Sequence, residues 1–317
     1  MVLWRQGAGA IGCCSFLYAP LIYSYNPHKF NAPEVENALT EQTYSEAVRQ
    51  LIYLGEVGDK PWLNYLTLGL TQADIPELIR LAQDVDLRWK ATELETEDLS
   101  EWYAQIHAWR ALGQLKAEAA IPALLGLLHQ VDDDDDDWVA EELPEVFAMI
   151  GQAAINPLAA YLADSAQKLY ARATAAEALK AIAEAFPERR AECAAGLAAA
   201  LEAYQQNDEA LNGFIISAMV DLKAVEHLGL IERAFQADKV DESVLGDFED
   251  VQVELGLLAK RKTPARPLRF FPGPHGTLAM RDPAAERWAE NKRAQKAKAR
   301  RKQEKSSRRK NRKKKKK

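Results

Sequence analysis

Three stretches of the chain begin in the same way, and their recurrence limits the fold more than any total does. Ala73-Asp-Ile-Pro-Glu-Leu-Ile-Arg-Leu-Ala-Gln-Asp84, Ala119-Ala-Ile-Pro-Ala-Leu-Leu-Gly-Leu-Leu-His-Gln130 and Ala153-Ala-Ile-Asn-Pro-Leu-Ala-Ala-Tyr-Leu-Ala-Asp164 align so that Ile75, Ile121 and Ile155 coincide, as do Leu78, Leu124 and Leu158. Pro76, Pro122 and Pro157 fall at or near the first helical turn, where a missing N–H costs no hydrogen bond. The isoleucines are 46 and 34 residues apart. That is the range of paired-helix repeats, in which one unit cannot bury its apolar face alone. Looser copies follow at Arg189 to Tyr204 and at His227 to Asp238.

Each copy is preceded by another helical pattern: Leu99 to Gly113, Trp138 to Gly151, Leu169 to Ala185 and Leu211 to Leu222. In the first, Leu99, Trp102, Ile106, Trp109 and Leu112 make one apolar stripe at helical spacing, which predicts one buried face. Pro144 predicts that the second helix kinks or begins there. Tyr44 to Gly69 completes the first pair. The spacing is helical nearly everywhere from Tyr44 onward, and β-branched alternation is scarce. The expectation is an all-α fold, an α-solenoid of about five helix pairs over residues 43–258.

Ala108-Trp-Arg-Ala-Leu-Gly-Gln-Leu followed by Ala119-Ala-Ile-Pro-Ala-Leu-Leu-Gly-Leu-Leu resembles the HEAT-like repeats of phycobilisome-lyase type. Met149-Ile-Gly-Gln-Ala-Ala-Ile-Asn-Pro-Leu resembles the same junction. The wider stretch, with Asp133-Asp-Asp-Asp-Asp-Trp-Val-Ala-Glu-Glu and Phe248-Glu-Asp-Val-Gln-Val-Glu-Leu-Gly-Leu, is similar to a bacterial family of HEAT-repeat proteins. The resemblance implies an armadillo-type fold and a bacterial source, and no activity, since such motifs specify packing.

The net charge of −6 conceals a separation. Residues 260–317 hold 24 Lys and Arg against four acids, so this segment is near +20 and the remainder near −26. Such polarity marks interaction surfaces rather than fold. Residues 259–282 are Pro/Gly-rich and basic and read as a linker. Residues 283–317 read as a polybasic tail, disordered or transiently helical. Its end, with Arg308, Arg309, Lys310, Arg312, Lys313, Lys314, Lys315, Lys316 and Lys317, can neutralise phosphates without fixed geometry. Phe270, Phe271 and Trp288 are available for base stacking. The same tail could instead lie on its own acidic body.

Residues 1–42 read as a poorly ordered extension. Gly7 to Asn26 carries no charge, so a targeting segment comes into question, but Pro20 and the glycines make a poor spanning helix. No membrane contact is expected. Gly7-Ala-Gly-Ala-Ile-Gly12, with Glu34 downstream, fits a dinucleotide turn in letters only, because neither a strand nor a parallel sheet accompanies it. The cysteines Cys13, Cys14 and Cys193 form no disulfide framework, and a reducing cytoplasm is the expected home.

Candidate chemistry is sparse. Asp132, Asp133, Asp134, Asp135, Asp136 and Asp137, with Glu141 and Glu142, form a candidate acidic binding surface. They fail as a calcium loop: with Asp132 first, Asp137 occupies the turn glycine's place and Leu143 that of the bidentate glutamate. The plain reading is a solvated loop between repeats, so that six serines in place of the aspartates would leave folding nearly intact. Tyr103, His107 and Arg110 form a candidate polar helix face, with a partly buried structural histidine as the plainer alternative. His28, His107, His129, His227 and His275 have no zinc spacing, and no metal or cofactor is expected. Cys193 reads as a core residue. No P-loop or nucleophile elbow emerges, so the expected role is a non-enzymatic protein-binding scaffold or adaptor, with another protein along the solenoid. Two alternatives stand: an RNA- or ribosome-associated factor recruited by the tail, and a bilin lyase-like enzyme implied by the resemblance alone.

Overall fold

The repeated Ile-Pro start is one half of a module whose other half is a sharp reversal of the chain. The computed structural model describes residues 44–58, 60–84, 87 and 100–264, and the backbone of 270–272 and 278–280. The helices, in chain order, are α1 (Glu46–Arg49), α2 (Ile75–Ala82), α3 (Ala104–Gln114), α4 (Ile121–Leu127), α5 (Gln130–Asp133), α6 (Asp137–Ile150), α7 (Ile155–Ala163), α8 (Leu169–Ala185), α9 (Arg190–Leu201), α10 (Glu209–Asp221), α11 (Leu228–Gln236), α12 (Glu242–Leu245) and α13 (Phe248–Glu254). One 3-10 turn each precedes α2, α4, α7, α9 and α11. The body is all-helical. Phe270–Pro272 and Leu278–Met280 pair beyond it as antiparallel strands, with Phe271 opposite Ala279.

The helices lie in two layers. In one, α3 packs on α6, α6 on α8, α8 on α10 and α10 on α12. In the other, α4 meets α7, α7 meets α9 and α9 meets α11, while α7 and α9 also pack on α8. Leu78, Leu124 and Leu158, aligned in the sequence, are all fully buried between the layers. Each such side chain contributes about 1.5–3 kcal/mol. Gly113, in the last turn of α3, lies against α6: a Cβ there would stand 3.1 Å from the Met149 Sδ and 3.4 Å from the Val146 Cα. Asp137–Ile150 and Gln152–Ala163 meet at 117°, and among the described residues no single helix is long and apolar enough to cross a membrane.

Two expectations need correction. Tyr44 to Gly69 is not one long helix: α1 gives way to a 3-10 turn at Gln50–Tyr53, and the chain runs irregularly until the 3-10 turn Tyr65–Leu68. Gly55 at φ 80° and Pro61 within this span account for the break. Of the two alternatives at Pro144, a kink or a start, the start is excluded for helix α6. It starts at Asp137, capped by the Asp136 side chain, and runs through the buried proline. Residues 1–42, Leu99, Trp288, His275 and the tail residues Arg308 to Lys317 lie outside the described residues.

The reversals have a signature of their own. Helix α3 ends with Lys116 at φ 53° and α10 with Lys223 at φ 52°. In the first, Lys116 N–H donates to Gly113 O at 2.9 Å and Ala117 N–H to Leu112 O at 3.0 Å. The second repeats this, with Lys223 to Val220 O and Ala224 to Met219 O, both 2.9 Å. Both are paired bonds of a left-handed helix stop. Both are spelled Leu-Lys-Ala, at Leu115–Ala117 and Leu222–Ala224. A lysine holds this conformation at a cost glycine avoids. Lys116→Gly is therefore expected to raise stability by about 0.5–1 kcal/mol in urea unfolding. Lys223→Gly gains less, because its Nζ donates to Glu254 O at 2.6 Å.

Candidate functional site

The densest polar cluster is buried, and it is built on α3. Every residue from Ala104 to Gly113 is buried, because α2 covers one side of this helix, α6 another, and the segment Gly55–Tyr65 the rest. The apolar stripe of Trp102, Ile106, Trp109 and Leu112 packs as expected, but the opposite side is covered as well. His107 is 4% exposed and Arg110 2%. An exposed polar face is thus overturned at His107 and Arg110, which are buried, while Tyr103 is half-buried.

Arg110 and Glu142 hold the centre. Arg110 Nε donates to Glu142 Oε2 at 2.9 Å, and a second guanidinium nitrogen pairs with Oε1. Trp109 Nε1 also donates to Glu142 Oε2, at 2.9 Å. The remaining guanidinium nitrogen donates to Gly58 O at 3.1 Å, and the group lies over the Trp62 ring, 4.6 Å from its centroid. Burial alone would lower the Arg110 pKa, but the Glu142 carboxylate more than reverses that, and it is raised. Glu142 is therefore removed from the acidic surface on which the sequence placed it.

His107 is bonded at both ring nitrogens. Nδ1 stands 2.7 Å from Tyr65 Oη, and Nε2 stands 2.9 Å from Gly55 O. The carbonyl only accepts, so Nε2 carries the proton and Nδ1 accepts from the phenol. Burial pushes His107 down to about 4, with the Arg110 cation adding to the effect. Burial likewise pushes the Tyr65 phenol up to about 12. The imidazole is neutral and its partners are fixed, an arrangement that holds chain segments together.

The aspartate run is divided among several tasks. Asp132 reaches helix α8, accepting from Ala171 N at 2.8 Å and Tyr170 N at 3.2 Å. The residue at the N-cap of α8 is Lys168, whose side chain has no oxygen to offer. Asp132 supplies that cap from α5, and burial raises its carboxyl despite the two N–H donors. Asp133 pairs with Lys168. Asp135 adopts φ 54°, and Asp136, 2% exposed, caps its own helix by accepting from Trp138 N at 3.1 Å. Asp134, Asp137 and Glu141 face solvent. A loop of six equivalent solvated acids does not describe this segment.

Among the described residues, no group of three or more His, Cys, Asp or Glu side chains could hold a metal ion. Cys193 is fully buried in α9, and burial pushes its thiol up to about 11, so it is held as a thiol. A shallow, open groove of about 410 Å³ lies among Gly113, Met149, Ala185 and Phe186, flanked by Lys116 and Glu145.

Removing one partner of the buried pair strands the other. Glu142→Ala is expected to destabilise the protein by about 3–5 kcal/mol, measured by urea unfolding. A paired Arg110→Met, Glu142→Leu variant recovers most of that loss. Asp132→Ala is expected to cost about 1 kcal/mol, whereas Glu141→Ala, at an exposed position, leaves the unfolding midpoint nearly unchanged.

A family model described as "Protein of unknown function (DUF1186)" matches residues 70–262. No curated protein matches the chain, and no solved structure does. The match covers more than half of the sequence, takes in the whole of α3, Glu142 and the aspartate run, and ends just after Arg261: the chain belongs to the DUF1186 family.

Proposed function

We infer that the protein is a non-enzymatic protein-binding scaffold, a HEAT-like solenoid of helix pairs that presents one acidic edge to a basic segment of a partner. The observation that carries this reading is the arrangement of the loops leading from one helix pair into the next. Asp132 touches Tyr170 and Ala171, Arg172 touches Leu162 and Asn207, and Asn212 touches Lys239. These contacts tie Asp132 of α5 to the start of α8, α8 to the segment before α10, and α10 to the segment before α12, in succession along one edge. Asp133, Asp137, Asp164, Asp208, Glu209 and Asp238 are exposed along it. Its two lysines are already committed, Lys168 to Asp133 and Lys239 to Glu209.

The opposite edge is mixed. There Lys116, Arg189 and Lys223 alternate with Glu118, Glu188 and Glu226, and Arg190 ties Glu226 to the Leu222 carbonyl. A basic ligand is attracted to the first edge only. At physiological salt the attraction reaches roughly 8 Å, so the ligand must lie along the edge. The polybasic tail is one such ligand, joined to the body, and its tether gives it a high effective concentration. Tail and outside partner then compete for the same surface.

The test uses a chain ending at Pro264 and a labelled synthetic peptide of residues 308–317. The peptide should bind, and weaken by about ten-fold between 50 and 300 mM salt. The triple variant Asp137→Ser, Asp208→Ser, Asp238→Ser should bind it several-fold more weakly. Equal binding by wild type and triple variant removes the edge as the docking surface. Capture of RNA by the full chain, with no peptide binding by the shortened one, turns the reading towards a nucleic-acid role for the tail.

A further inference from the structure

We propose that the segment Gly55–Tyr65 is a strap latched onto α3 by a neutral His107, and that acidification releases it while the helix pairs beyond it stay folded. The geometry of the attachment carries the argument. Among the described residues of Gly55–Tyr65 there is little regular structure, only the 3-10 turn that Tyr65 opens. Side chains of α3 hold it at three levels. His107 takes Gly55 O and the Tyr65 hydroxyl, and Arg110 takes Gly58 O and stacks on Trp62. Gln114 then accepts from Tyr65 N at 2.8 Å and donates to Leu63 O at 2.7 Å. Outside α3, Lys60 pairs with Glu145 of α6.

Of these fasteners, His107 is the one that acid converts from a partner into an opponent. Its Nδ1 must be unprotonated to accept from the phenol. A proton placed there can be accepted by the Tyr65 oxygen only if the phenol turns its own hydrogen away from its acceptor, and Tyr65 is fully buried, so that hydrogen has no water to turn to. The groups facing the imidazole are Tyr65 of the strap, Arg110 on α3 itself and Glu142 of α6. Arg110 repels the new charge. Glu142 attracts it, but its oxygens already accept from Arg110 and Trp109. Glu56 of the strap acts on Tyr103 one turn away.

The sign follows from linkage. His107 is held near 4 in the latched state against an ordinary 6.5, so latching is complete above 6.5 and weakens as pH falls towards 4. For a released imidazole of ordinary pKa, the opening equilibrium at pH 5 exceeds its value at pH 7 by about 20-fold. Release would uncover Tyr65, Trp62 and the Trp109–Arg110 side of α3.

Amide hydrogen exchange on the full chain, corrected for the intrinsic pH dependence of exchange, tests this at pH 7 and pH 5. The Tyr65 amide, which donates to Gln114, should lose about 20-fold in protection while the amides of α8 keep theirs. The His107 ring signals, followed by NMR, should show an Nε2–H tautomer that stays neutral well below pH 6. In His107→Gln the strap should open to the same degree at both pH values. Equal protection loss in strap and α8, an unchanged strap at pH 5, or an imidazole titrating near 6.5 with the strap still latched would each overturn the proposal. If the variant does not fold, the wild-type exchange and titration decide alone.

Discussion

The pairing of Arg110 with Glu142 is the interaction on which the surrounding structure depends. It joins α3 to α6, and through Gly58 and Trp62 it also joins both to the chain that enters the first pair. A buried ion pair of this kind is not automatically stabilising. Two desolvated charges attract strongly, yet a well-packed apolar pair of the same volume often does as well. Its effect is on register. A carboxylate that accepts from Trp109 and from two guanidinium nitrogens fits one placement of α6 against α3, whereas leucines tolerate several. The apolar stripe brings these helices together, and the polar cluster decides how they sit.

Farther along, the same logic recurs with weaker groups. Helix ends expose N–H and C=O groups that need partners. Here the partners often come from the neighbouring pair: Asp132 serves α8, Arg172 serves Leu162 O, Asn212 serves Tyr204 O and Lys239 O, and Arg190 serves Leu222 O. Helices that are neighbours in the packing thus complete one another's ends. Arg261 continues the pattern past the last helix. It grips Asp247 with both terminal nitrogens, at 2.8 and 2.7 Å, while Glu249 accepts from Lys262 N and Thr263 N, both at 2.9 Å. The first residues of the stretch read as a linker are thus bound to the start of α13.

What the sequence made legible follows from the range of the interactions involved. The Ile-Pro starts and the Leu78, Leu124 and Leu158 positions are local patterns with one physical meaning, and helices α2, α4 and α7 begin where they indicate. The left-handed Lys116 was hidden, because lysine is not the residue that a helix stop favours. Only the repeated Leu-Lys-Ala, compared between two distant junctions, betrays it. His107 and Arg110 look like a solvent face at helical spacing. Their burial depends on Gly55–Tyr65, some fifty residues away and without periodicity. Asp132 in a row of six aspartates carries no mark that sets it apart from Asp134, since its role is fixed by Lys168 failing to cap α8.

These commitments change how the charge of the body is to be read. A total near −26 suggests a uniformly acidic surface, but Glu142 and Asp136 are buried, Asp132 is turned into a helix end, and Asp247 with Glu249 is satisfied by the chain's own basic residues. Of the acids left exposed, one group, Asp133, Asp137, Asp164, Asp208, Glu209 and Asp238, gathers near the starts of successive helices. That concentration has a structural origin. Acidic residues are favoured at the N-terminal ends of helices, and this edge is where α6, α8, α10 and α12 begin. Selection for helix stability alone therefore builds an acidic edge, and a basic ligand that binds there exploits a charge the fold already requires.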